Sequence, residues 1–140
     1  MNILVSACLL GCACRYDGKS KPNAAVTALA KTHTLIPFCP EIYGGLPTPR
    51  PASEIVGERV VNRAGTDVTA EYVRGAEEAL RLAKLFGCKI AVLKAKSPSC
   101  GKGRVYDGSF SGTLRNGDGV TAALLLQNGI EVYTEEELPL

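Results

Sequence analysis

Six cysteines occur in 140 residues, alongside a single histidine. The opening segment, MNILVSACLLG, is apolar but lacks the charged region of a secretion signal and is too short to cross a bilayer. The expectation is therefore a cytoplasmic protein whose thiols stay reduced and serve metal binding or catalysis rather than a disulfide framework. Cys8 closes the apolar run NILVSAC and Cys39 closes TLIPFC, while Cys100 lies in the loop KSPSCG, just beyond a third run, KIAVLKA. No pair has the C-x-x-C spacing of a zinc ribbon or the local run of a bacterial ferredoxin, so a metal group on these three must be assembled by the fold from distant segments. The same thiols also suit a core, since free cysteine is among the most buried side chains, and both readings stand at this point. Pro40 and Gly101 beside the proposed ligands shape backbone for close approach rather than fill a core. Three thiolates leave one iron of a cubane without a protein ligand, and an open position marks a catalytic rather than a structural site. Sulfur is the soft donor such an iron favours over oxygen.

Other residues near these cysteines divide between chemistry and local structure. Glu41, two positions after Cys39, is either a solvated loop carboxylate or a base. Arg50, between Pro49 and Pro51, either binds an anionic group or pairs with a loop acid. Arg15 and Tyr16 either line a pocket or belong to the turn that Asp17 and Gly18 make. Ser97 and Ser99 either contact substrate or satisfy loop amides. Arg50, Tyr16 and Ser99 are the candidate substrate contacts. Cys14 is a fourth ligand or a packed thiol behind the site, and a Cys12–Cys14 redox pair is disfavoured because the spacing strains an internal disulfide. Cys88, at a helix–strand junction, is expected in the core, and His33 in an exposed loop.

Positioning distant thiols at one edge requires a particular architecture. Four runs read as buried strands: Asn2 to Cys8, Thr34 to Cys39, Lys89 to Ala95 and Ile130 to Thr134. Helical stretches lie between them at Asn23 to Lys31, Ala70 to Phe86 and Gly119 to Asn128. In the second, Val73, Ala76, Leu80, Ala83 and Leu85 form the expected apolar face, with Thr69 as cap and Gly87 as stop. Asp118 is placed to cap the third, whose N-terminus would then face the site. Strands alternating with helices predict an α/β fold: a three-layer, Rossmann-like, mainly parallel four-stranded sheet with flanking helices. Arg59 to Thr69 reads as a small β-hairpin excursion turning at Ala64-Gly65. Ligands of such sheets collect beyond the carboxyl ends of the strands, where all three cysteines fall. The chain is expected to form a single domain over residues 1–140. Hydrophobic residues are 46% and charged residues 21%, and 16 basic against 14 acidic side chains are intermixed for a net charge of +2. That balance offers no basic stripe for nucleic acid and no polybasic run for a membrane, leaving a small-molecule substrate.

Several motifs together resemble a known family. SACLLG (6–11), CRYDG (14–18), CPEIYGGLPTPR (39–50), KAKSPSCG (94–101), GSFSGT (108–113) and GDGVTAA (117–123) are similar to the DUF523 family over nearly the whole chain. The resemblance implies a 4Fe-4S cluster on Cys8, Cys39 and Cys100 with one open iron, and catalytic roles for Glu41 and Ser97. It implies a desulfidase that replaces C=S by C=O in a thiolated nucleobase, thiouracil-like, or a related small molecule and releases sulfide. A metal-holding structural or sensing module and a thiol redox protein are the competing readings.

Overall fold

The computed structural model of the chain describes residues 1–139. Four strands, β1 (Asn2–Ser6), β2 (Thr34–Phe38), β5 (Ile90–Leu93) and β8 (Glu131–Thr134), form one sheet in the order β2-β1-β5-β8. All its pairings are parallel, and β1 is central, with Val5 opposite Pro37 on one side and Val92 on the other. Burial on both faces explains why β1 and β5 read as unbroken apolar runs. Their side chains separate by parity. Ile3, Val5 and Val92 pack with Leu9, Val26 and Leu29 on one face, while Leu4, Ala91 and Leu93 pack with Ala79, Ala83 and Leu125 on the other. The first face is covered by α1 (Ala24–Ala28) and the short 3-10 turns around it, the second by α3 (Thr69–Leu85) and α4 (Val120–Gln127). The three-layer parallel expectation is thus met.

Boundaries moved in ways that matter for the site. β1 stops at Ser6, and Cys8 lies on a 3-10 turn, Ala7–Leu10, closed by Gly11 at φ 100°. β2 stops at Phe38, and Cys39 is the N-cap of a one-turn helix, α2 (Pro40–Tyr43), that the sequence did not reveal. Pro40 at the first helical position explains that start. The expected hairpin is present and larger than foreseen. β4 (Arg59–Asn62) folds back on 66–68 through a turn at Gly65: the Val68 amide donates to the Val60 carbonyl, the Asn62 amide donates to the Thr66 carbonyl, and an antiparallel bridge joins Val61 to Asp67. β4 also pairs antiparallel with the preceding β3 (Ser53–Val56) through a turn at Gly57. A second hairpin, β6 (Arg104–Tyr106) with β7 (Leu114–Asn116), was not anticipated. Strands this short carry too little alternation to be read from sequence.

The buried stripe of α3 is Tyr72, Gly75, Ala76, Ala79 and Ala83, so Val73 and Leu85 face outward, one step round from the expected face. Thr69 does not cap this helix; its hydroxyl accepts from the Val60 amide, tying β4 to the helix start. Glycine at 75 has a packing reason. A Cβ there would collide with the Pro40 carbonyl, and one at Gly44 would collide with the Glu71 carbonyl. Two bare backbones therefore let α2 lie directly on α3, which fixes where the residues of α2 point. Gly75→Ala is expected to lower stability by about 2 kcal/mol, the cost of forcing packed elements apart, read as a lower denaturant midpoint at unchanged slope.

Candidate metal and active site

The sheet order places β1 and β5 side by side, with the chain leaving β1 toward one edge and β5 toward the other. Their carboxyl ends form the switch point at which open α/β sheets bind ligands. A cavity of about 680 Å³ opens there. Its wall includes Cys8, Cys14, Cys39 and Cys100. The fold thus gathers the three expected thiols, and adds Cys14. Cys39 Sγ donates to the Cys14 carbonyl at 3.8 Å, and the Cys14 thiol lies near enough to Cys8 and Cys39 to alter its ionisation. Cys100 is buried and close enough to Cys39 to feel its charge. Cys12 is exposed, Cys88 packs in the core, and all six cysteines are free thiols.

Burial and proximity to other thiols raise Cys14, Cys39 and Cys100 above the ordinary thiol range. Cys39 is raised far above the ordinary range by its contact with Cys14 and by burial. Cys14 is drawn down by Cys39, but Cys8 and burial outweigh that and bring it to about 11. Burial pushes Cys100 up to about 12. Two hydroxyls face the Cys100 sulfur: Ser6 donates at 3.4 Å while accepting from the Lys94 amide at 3.0 Å, and Ser99 stands 3.5 Å away. Among the described residues, no three His, Cys, Asp or Glu side chains converge closely enough to share one metal ion. A cubane differs in this respect, because its irons occupy separate corners and its thiolate ligands stand correspondingly apart. A soft, all-sulfur donor set at a sheet edge fits an iron–sulfur group.

Glu41 reaches the same cavity from α2 and is held at both oxygens. Oε1 accepts from Tyr72 Oη at 2.5 Å and from Arg50 Nε at 3.3 Å, and Oε2 accepts from Ser99 Oγ at 3.3 Å. Arg50 borders the cavity but is directed inward. Besides Glu41 it donates to the Pro47 carbonyl, the Thr48 hydroxyl and the Cys14 carbonyl. Of its two sequence readings, pairing with a loop acid is the one the structure displays, and the acid is Glu41. Ser99, expected from the sequence as a candidate substrate contact, is instead fully buried and stands behind the cavity wall. Ser97 is in the wall, where its oxygen accepts from the Ser99 and Cys100 amides, each at 3.1 Å, and meets the Ser99 hydroxyl at 3.0 Å. Tyr16 lines the mouth, half exposed, with Arg15 over its ring. Asp17 makes the expected turn, accepting from the Lys19 amide.

The first turn of α4 does not face the cavity with free amides. Its amides donate to the carbonyls of Pro98, Ser99 and Gly101, anchoring the loop that carries Cys100. A Cβ at Gly119 would strike the Ser99 carbonyl, so the close approach requires glycine there. Asp118 accordingly bonds the Gly103 amide instead of capping the helix. Sequence reasoning also missed three buried polar groups. Ser6 hides at the end of an apolar strand, and Tyr72 lies in a helix face otherwise made of small residues. Glu54, nearly buried on β3, accepts from the Gly108 and Phe110 amides and so holds the β6–β7 loop against the cavity. The available signal was the general one: a tyrosine or glutamate within an apolar pattern needs a partner.

Comparison with known proteins agrees with this geometry. The model of the 2-thiouracil desulfurase family matches residues 3–137. An uncharacterised protein of Bacillus subtilis (strain 168), YbbK, is 42% identical over 146 residues, covering 97% of each chain. A solved structure, that of the 4Fe-4S-dependent thiouracil desulfidase TudS, superposes with a TM-score of 0.93 at 52% identity, covering 99% of this chain and 93% of that one. With both sequence and fold matched across almost their whole length, this chain belongs to the 2-thiouracil desulfurase family.

Proposed function

We propose that this chain is a 4Fe-4S-dependent desulfidase that converts the C=S of a thiouracil-like nucleobase to C=O, consuming water and releasing sulfide. The observation that carries the reading is the meeting of Cys8, Cys39 and Cys100 with Glu41 in one cavity at the sheet's switch point. Those three thiols are assigned as ligands. When bound, the cluster supplies an open iron that acts as a Lewis acid toward the thiocarbonyl sulfur. Cys14 is assigned as the thiol packed behind the ligands, its carbonyl occupied by Arg50.

The chain's own residues account for the remaining steps. Glu41 is the base: it takes a proton from the water whose oxygen bonds to the thiocarbonyl carbon. As the C–S bond breaks, the adduct's hydroxyl gives up its remaining proton and C=O re-forms, so that both protons of the water, the one held on Glu41 included, leave with the sulfide as hydrogen sulfide. Ser97, which lines the cavity, is assigned the contact with substrate. Because its oxygen already accepts from two amides, its proton points either into the cavity or to Ser99, which in turn reaches Glu41. That chain of hydroxyls gives the base a route for exchanging protons with the cavity. Tyr16 provides an aromatic edge at the mouth for the heterocycle to lean on. The roughly 680 Å³ of space is large enough for a cluster and a single heterocycle together.

Anaerobic reconstitution tests the ligand set. The parent chain is expected to take up about four irons and the brown absorption of a cubane, and Ser replacement at Cys8, Cys39 or Cys100 to abolish both, whereas Cys14→Ser retains them. Iron retention in any of the first three variants removes that residue from the set. Glu41→Gln is expected to keep the iron while lowering sulfide release from thiouracil at least about a hundredfold, the scale of a lost general base. Undiminished turnover in that variant means another group takes the proton.

A further inference from the structure

Tyr72 lies 31 residues from Glu41 along the chain, on a different helix, and is 1% exposed. Its ring packs against Ile55, Val60, Val68 and Val105, while its hydroxyl lies near Ser53 and Arg50 and donates to the Glu41 carboxylate at 2.5 Å. Burial and the adjacent carboxylate raise its ionisation far above the ordinary tyrosine range, so the oxygen keeps its proton and acts only as a donor toward Glu41. Arg50 Nε reaches the same oxygen, Oε1. Oε2 receives only the 3.3 Å contact from Ser99 and has acceptor capacity left. The backbone beneath is equally constrained, since α2 is seated on α3 through Gly44 and Gly75, the latter one turn beyond Tyr72.

We propose that Tyr72 is a positioning residue for the desulfidase reaction: with Arg50 it pins Oε1 of Glu41, so that Oε2 is the oxygen turned to the reacting water. The inference rests on the reading of Glu41 as the base and adds the residue that orients it. Phenylalanine in place of Tyr72 retains the ring and its packing and removes only the donor. The carboxylate then rotates about its terminal torsion, which is soft in glutamate, and the water loses its fixed acceptor. An orientation effect of this kind lowers the rate of the chemical step without changing how substrate is held.

The test is a kinetic double-mutant cycle on cluster-loaded protein with thiouracil, comparing the parent, Tyr72→Phe, Glu41→Gln and the double variant. Tyr72→Phe is expected to lower kcat about tenfold, with KM unchanged within about twofold and with parental iron content and visible absorption. In the Glu41→Gln background the same substitution is expected to have no further effect, because Tyr72 acts only through that carboxylate. A merely structural tyrosine would instead lower kcat in both backgrounds, or cost iron, and either result overturns the proposal. Parental kcat in Tyr72→Phe beside an inactive Glu41→Gln overturns it while leaving the base in place. Parental kcat in Glu41→Gln overturns the base assignment, and this inference with it.

Discussion

The parallel pairing of β1 with β5 is the constraint from which the site follows. It puts Ser6 and Lys94 next to each other at the carboxyl edge, where the Ser6 hydroxyl takes the Lys94 amide and turns its own proton to Cys100. From that point the two chains diverge, one into the turn bearing Cys8 and the other into the loop bearing Cys100. β2, on the far side of β1, brings Cys39 to the same edge. Residues separated by more than sixty positions therefore need no long-range device of their own to meet; strand pairing at the centre of the sheet brings them together. The loop carrying Cys100 is then fixed by the first turn of α4, whose amides would otherwise need solvent or a cap.

A second constraint is the burial of charge. Glu41 and Arg50 sit in a place where neither is stable alone, and removing one partner of a buried pair typically costs about 3 kcal/mol or more because the other is left uncompensated. The pair persists because its remaining capacity is filled: Arg50 by three backbone and side-chain oxygens, Glu41 by Tyr72 and Ser99. One consequence joins packing to chemistry. The Arg50 bond to the Cys14 carbonyl and the Cys39 contact with that same carbonyl tie the acid–base network to the thiol wall. A shift of the segment at Cys14 would disturb both.

The strands of the main sheet were legible because buried parallel strands are apolar runs, and their parallel pairing, though not their order, followed from alternation with helices. The three ligand candidates were legible for the same reason, each lying at or just beyond the end of such a run. Polar partners were not. Whether Arg50 faces substrate or Glu41 depends on a rotamer within a packed segment, and whether Ser99 is in the wall or behind it depends on one turn of loop. Tyr72 is the clearest case: the helical period marks it as buried, but only the contact between α2 and α3 shows what its hydroxyl meets. That contact depends on Gly44 and Gly75, which sequence patterns alone mark only as interruptions.

The thiol wall also bears on how the site is loaded. On the proposed ligand assignment, thiols whose protons are held by burial, Cys39 and Cys100, release them as the group binds, so proton release accompanies that step. The surroundings point to a catalytic rather than a purely structural group. A structural metal is closed off by its ligands, whereas here the thiols share their cavity with an oriented carboxylate, a serine with a proton to direct and an aromatic residue at the mouth. Glu41 is balanced by Arg50, Tyr72 and Ser99 and still keeps acceptor capacity on Oε2, which is what the proposed base requires.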